Sequence, residues 1–225
     1  MKYNDYEMNN LLYQTALKID KRTFLKFYLS SLKINNLFIF SFILGGDYNS
    51  KILKIFLFFL ILITNLTVNS LFFNDSTMHV IYKEKDKFDI IYQIPQILYS
   101  SLISGLVTFI LKKLSLTEQN ILSIKREKII NKLNQKQKEV ETTINKKIAF
   151  FFVFGFLFLL LFSYYIACFC AVYKNTQVHL VKDFLMSFCS SLIYPFFVCL
   201  LHGILRICSL KNDKRECIYK VSKLF

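Results

Sequence analysis

The stretch IFLFFLILITNLTVNSLFF, Ile55 to Phe73, decides the fold class. It is apolar almost throughout and carries no charge. As a helix rising about 1.5 Å per residue it crosses the roughly 30 Å of bilayer hydrocarbon. It lacks the alternation that a barrel strand needs, and only helices and closed barrels satisfy their backbone groups in lipid, so the reading is helix.

Three further stretches pass the same test: Ile94 to Leu111 (IPQILYSSLISGLVTFIL), Ile148 to Tyr173 and Phe184 to Ile207. The expected fold class is all-α, a polytopic membrane protein with four transmembrane helices. A composition that is 54% hydrophobic and 17% aromatic lies outside that of soluble proteins and agrees with this reading.

A net charge of +14 would suggest nucleic acid in a soluble chain. Here the basic residues fall between the apolar stretches, so no nucleic-acid partner is expected. Residues 1–54 carry eight Lys and Arg, residues 112–147 carry ten, and the tail from Arg206 carries six. The two intervening loops carry three (Lys83, Lys85, Lys87) and two (Lys174, Lys182). Basic residues favour the cytoplasmic side, which predicts an integral membrane protein with both termini cytoplasmic. Residues 1–34 are charged throughout, so no signal peptide is expected and the first span is expected to act as the targeting signal.

Five segments follow: 1–54, a cytoplasmic N-terminal region; 55–111, a first transmembrane hairpin; 112–147, a basic cytoplasmic helical segment; 148–207, a second transmembrane hairpin; and 208–225, a basic cytoplasmic tail. Within the first, Leu37 to Leu44 (LFIFSFIL) is apolar but too short to cross. Thr23 to Leu44 is read as an amphipathic helix at the cytoplasmic surface, with a fifth span as the alternative. In the third, Ser115-Leu116-Thr117-Glu118 fits a capping box, so a helix starts near Leu116. Both ends of the segment must meet the membrane, which predicts a break near Asn131 to Gln137 (NKLNQKQ) and a cytoplasmic helical hairpin. Such a basic hairpin would meet anionic lipid headgroups or a cytoplasmic partner; the alternative is a solvated connector whose Lys residues only enforce topology.

The span cores carry no charges, which argues against a proton-coupled carrier or a voltage sensor. They carry instead small and polar residues at helical spacing. Ser187, Ser191, Pro195, Cys199 and Gly203 form a stripe down the fourth span, with Ser163, Ala167 and Ala171 on the third, Ser101, Gly105 and Thr108 on the second, and Asn65 and Asn69 on the first. Such residues let helices approach closely, so these are candidate helix-packing positions. His202 reads as a hydrogen-bonded residue near the cytoplasmic end.

No cofactor is expected. The six cysteines show no paired CxxC spacing, while Cys208 and Cys217, in the basic tail, occupy a setting in which palmitoylation occurs. Asp75 with His79 and His179 with Asp183 form two pairs at one-turn spacing on the predicted outer face, a conceivable zinc set if the loops meet. Asn74-Asp75-Ser76 is a formal glycosylation sequon abutting the first span. There is no nucleotide-binding glycine loop, no nucleophile set and no acidic pair, so no enzymatic activity is expected.

Two stretches, from Asp47 through Leu106 and from Tyr164 through Lys211, resemble an uncharacterised family of protist multi-pass membrane proteins. The text DSTMH, IYQIPQILYS, CAVYKNTQ and LIYPF carries the resemblance. In that family similar text forms the C-terminal membrane region of large surface proteins. The resemblance implies a membrane module but no activity and no site residues. His202 stands where the family's Pro is expected before Gly203, which implies a straighter end to the fourth span.

The functional expectation is a non-enzymatic membrane module that anchors or assembles a larger complex through other membrane helices or its own copies. The alternative is a channel or transporter subunit whose hydroxyl- and amide-lined path forms on oligomerisation.

Overall fold

The protein is described by a computed structural model covering residues 3–43, 47–73, 79, 83, 90–125, 130–173, 176–211 and 215–223. Among the described residues it is all helix, without strand: α1 (Asp5–Asn9), α2 (Tyr13–Ile19), α3 (Phe24–Asn35), α4 (Leu37–Phe42), α5 (Lys51–Leu71), α6 (Ile90–Ser115), α7 (Glu118–Lys125), α8 (Ile130–Val172), α9 (Gln177–Leu210) and α10 (Glu216–Ser222). Four of them, α5, α6, α8 and α9, are long and apolar enough to cross a membrane. They contain the four stretches read from the sequence, except that α5 ends at Leu71, two residues short of Phe73, and α8 at Val172, one short of Tyr173.

Two expectations change. The helix expected over Thr23 to Leu44 is divided at Asn36, whose side-chain Oδ1 accepts from the amide of Ile39 and caps a new helix. An Asn at that point competes with the helical backbone for its own hydrogen bonds. The break expected near Asn131 to Gln137 is absent, because α8 runs unbroken from Ile130 to Val172. That run contains no Gly or Pro before Gly155, and nothing in its polar stretch removes a backbone hydrogen bond. Helix α7 nevertheless packs against α8, and Lys147 Nζ donates to the carbonyl of Leu116.

The chain forms two compact units. The first comprises residues 1–54 and 191–225, the second residues 55–190. The first unit therefore draws together segments far apart in sequence. Its α1 packs on α3 and α3 on α4. Around the tail, Leu11, Tyr13, Ala16 and Tyr219 form a buried cluster. Tyr219 Oη donates to the carbonyl of Leu11 at 2.7 Å, and the Tyr13 and Tyr219 rings lie 5.2 Å apart.

In the second unit, α8 approaches α5 at Gly155. A Cβ placed there would lie 2.6 Å from the Phe56 ring, which itself packs edge-on against Phe151 at 5.6 Å. Phe73, just past the end of α5, joins Phe169 of α8 and Leu180 of α9 in a second buried cluster. Helix α6 packs against α8.

Burial separates the spans. In its most apolar window, α5 is 61% buried inside the molecule, against 17% for α6 and 11% each for α8 and α9. Three of the four apolar helices thus have few residues buried inside the molecule. On α8 this surface includes a ladder of rings at one-turn spacing, Phe150, Phe154 and Phe158.

Candidate functional site

Two polar clusters stand out, one in each unit. The first is built on Arg206, near the end of α9, which is 0% exposed. A buried guanidinium is tolerated only where its donors are paired. Here Nε and Nη2 donate to Asp20 Oδ2 at 3.2 and 2.9 Å, Nη1 to the carbonyl of Asn9 at 3.0 Å, and Nη2 also to that of Met8 at 2.8 Å. The planar group lies 4.9 Å from the centroids of both Phe27 and Tyr219, within cation–π range.

Asp20 is shared. Arg22 grips the same carboxylate at 2.8 and 2.9 Å and spends its remaining donors on Asn9 Oδ1 and Ser30 Oγ. Burial pushes the Asp20 carboxyl up, but the two guanidinium groups outweigh it and hold the carboxyl below its ordinary range. Burial pushes the Tyr219 phenol up, consistent with its role as a hydrogen-bond donor. Burial, reinforced by Arg206, pulls the Lys223 ammonium down. The cluster fastens the N-terminal segment to the end of α9. Next to it, His202 packs edge-on against Phe27 at 4.9 Å, and neither ring nitrogen has a hydrogen-bond partner among the described residues.

The second cluster lies in α5, α6 and α9. Ser100 Oγ donates to Asn69 Oδ1 at 2.9 Å, and Asn69 Nδ2 donates back to the carbonyl of Asn65 at 2.8 Å. One turn from Ser100, Gln96 Nε2 donates to Asp183 Oδ2 at 3.0 Å. One face of α6 thus ties α5 with one residue and α9 with another. Asp183 and Asn69 are both 0% exposed. Asp183 Oδ1 has no hydrogen-bond partner among the described residues, nor has the buried Ser104 Oγ, one turn along α6 from Ser100. The arrangement offers amide, hydroxyl and carboxylate oxygens in an apolar setting, and it holds no nucleophile with an adjacent base.

The residues singled out from sequence divide. Asn65, Asn69, Ser187 and Gly203 are buried; Ser101 is half-buried; Gly105, Ser163, Ala167, Ala171 and Ser191 are exposed. Cys208 is half-buried and Cys217 exposed, and all six cysteines are free thiols. Of the zinc candidates, His179 and Asp183 are buried one turn apart, His79 is exposed, and Asp75 lies outside the described residues. Among the described residues no group of three or more His, Cys, Asp or Glu side chains could hold a metal ion.

Sequence reading missed Gln96, Ser100 and Gly155, and it counted Arg206 only among the basic residues of the tail. The available signal was Asp20-Lys21-Arg22 together with a single Arg in the apolar fourth span, a charge that needs a partner. No family model, curated protein or solved structure matches this chain.

Proposed function

We propose that the chain is a non-enzymatic membrane module that anchors or assembles a larger membrane complex, with both termini cytoplasmic and the basic residues of α7 and α8 facing anionic lipid or a partner. Its resemblance to the membrane regions of large surface proteins fits that role. The observation that carries the proposal is the outward exposure of the small-residue positions Gly105, Ser163, Ala167 and Ala171 on α6 and α8. A Cβ at Gly105 would meet nothing within 4 Å. Close helix packing is what small residues permit in lipid, where no hydrophobic force drives helices together. Residues suited to close approach, and unused within the chain, favour other helices as the partners.

Leu substitutions at Gly105 and Ala167 test this. Neither position touches the interior, so the folded chain keeps its thermal stability. Assembly, read by native electrophoresis and cross-linking in mild detergent, is expected to be lost. Unchanged assembly in both variants counts against the proposal.

One observation favours a second reading, a channel or transporter subunit. Asp183, buried in a membrane-length helix with one carboxylate oxygen unpartnered among the described residues, adds an acidic group to the amide and hydroxyl positions. Under that reading Asp183→Asn abolishes conductance in reconstituted bilayers while assembly persists. Under the anchoring reading the variant assembles and no conductance exists to lose.

A further inference from the structure

Helix α3 does not merely touch α9; it runs along it, antiparallel. At its start, the Phe24 ring covers Gly203 so closely that a Cβ there would lie 2.8 Å away. Phe27 then meets His202 at 4.9 Å and Arg206 beyond it. Further on, Ser31 Oγ donates to Cys199 Sγ at 3.4 Å, and Asn35 Nδ2 reaches the same sulfur at 3.6 Å. At the end, Asn36 Nδ2 donates to the carbonyl of Leu192 at 2.7 Å. As residue numbers rise along α3, those of its partners fall along α9.

The depth follows from helix geometry. From Gly203 to Leu192 a helix rises about 16 Å, against about 15 Å for half the hydrocarbon of a bilayer. Leu192 lies near the middle of the apolar stretch Phe184 to Ile207. If α9 crosses, Asn36 sits close to the midplane.

The chain then turns back. Helix α4 follows α3 after the single residue Asn36, and the Phe40 ring lies 4.9 Å from Lys54 Nζ. Lys54 pairs with Asp47 at 3.2 Å and immediately precedes the apolar stretch of α5. The chain is therefore back at the bilayer edge by the start of α5.

A break in lipid is tolerated only where its backbone groups are satisfied by protein. Asn36, 2% exposed, meets this condition: its N–H donates to Leu32 O at 2.9 Å, its carbonyl accepts from Phe40 N at 2.8 Å, and its side chain engages Ile39 N and Leu192 O. Of the outward residues, Leu25, Leu29, Phe38, Phe42 and Ile43 are apolar, Lys26 lies in the first turn where the hairpin enters, and the exposed Asn35 has its amide held by Ser31 Oγ at 3.2 Å and Cys199 Sγ at 3.6 Å. Lys33 is the one cation on the inner part of the path. Helical side chains lean toward the N-terminus, which here is the side the hairpin entered from, so its ammonium snorkels back to that interface.

We infer that residues 24–43 form a re-entrant helix–break–helix hairpin that enters the bilayer beside the end of α9, turns at Asn36 near mid-bilayer and leaves on the same side, with Leu25, Leu29, Phe38 and Ile43 against lipid acyl chains. This rests on α9 being a membrane span, a reading the test checks separately.

The chain has no Trp, so a single introduced indole reports its own depth. Leu25→Trp, Phe38→Trp and Tyr194→Trp are reconstituted in vesicles of lipid brominated either near the carbonyl or near the chain middle. Each replaces an exposed apolar side chain, so folding is retained. Phe38→Trp and the α9 probe Tyr194→Trp are expected to be quenched more by the mid-chain bromines, Leu25→Trp more by the carbonyl-proximal ones. Single cysteines at Leu12 and Lys51 are expected to react with an impermeant maleimide from the same side. Shallow quenching at Phe38→Trp with deep quenching at Tyr194→Trp overturns the hairpin and leaves the span. Shallow quenching at Tyr194→Trp overturns both. Reaction of the two cysteines from opposite sides replaces the hairpin by a complete crossing.

Discussion

Replacing Arg206 by Met removes the guanidinium and keeps most of the apolar stem. The structure sets the size of the effect. Four hydrogen bonds are lost, two to Asp20 and one each to the carbonyls of Met8 and Asn9, together with the contacts to the Phe27 and Tyr219 rings. Removing one partner of a buried ion pair costs about 3–5 kcal/mol. Asp20 keeps Arg22 at 2.8 Å, which places the loss near the lower end, at about 3 kcal/mol. Met8 and Asn9 precede α2 and Asp20 follows it, so the change should release that helix at both ends. Hydrogen exchange of the α2 amides, measured in mild detergent, should accelerate by about two orders of magnitude, since about 1.4 kcal/mol is tenfold. Asp20→Asn should cost less, because the two carbonyls keep their donor. The double variant should show a coupling of about 1–2 kcal/mol. An acceleration below about threefold in Arg206→Met would refute the latch, since a snorkelling cation contributes only on the order of 0–1 kcal/mol.

Three further outcomes follow from the same geometry. Gly155→Val should destabilise the second unit by about 1–3 kcal/mol in thermal unfolding, because Phe56 is held by Phe151 and Phe152 and has little room to retreat. Asn69→Leu should destabilise that unit by about 1–3 kcal/mol, because it removes the buried amide that accepts from Ser100 Oγ and donates to the Asn65 carbonyl; Ser100→Ala should cost about 1 kcal/mol. The stability supplied by Asp20, whose carboxyl is held below its ordinary range, should be complete at neutral pH. It should fade only as pH falls below the usual carboxylate value through the depressed one, and Asp20→Asn should remove that acid limb from the exchange profile of α2.

The four membrane-length helices were legible because long apolar stretches without charge admit few other structures, and Ile55 to Phe73 by itself is long and apolar enough to cross a bilayer. Their packing was legible only in part. Asn69 and Gly203 are buried as small and polar stripe residues should be, but Ala167 and Ser191 belong to the same kind of pattern and face outward. Spacing along a helix says which residues share a face, and not what covers that face. The Arg206 latch escaped because Asp20 and the Met8 carbonyl lie far away in sequence, and backbone acceptors leave no mark in a side-chain pattern. The break at Asn36 was within reach: an Asn ahead of LFIF, with Leu32 and Phe40 either side, is a helix N-cap signal inside an apolar run. Continuous apolar character outweighed it, giving one surface helix in place of two.

Four crossings with both ends on one side are the central expectation for this chain. Single cysteines near Tyr3, Lys85, Gln135, Gln177 and Lys223 address this, with the buried Cys199 retained and the other native cysteines replaced. In intact cells an impermeant maleimide is predicted to label Lys85 and Gln177 alone, with Tyr3, Gln135 and Lys223 reacting only after permeabilisation. Labelling of Tyr3 from outside, or protection of Gln177, would contradict the account.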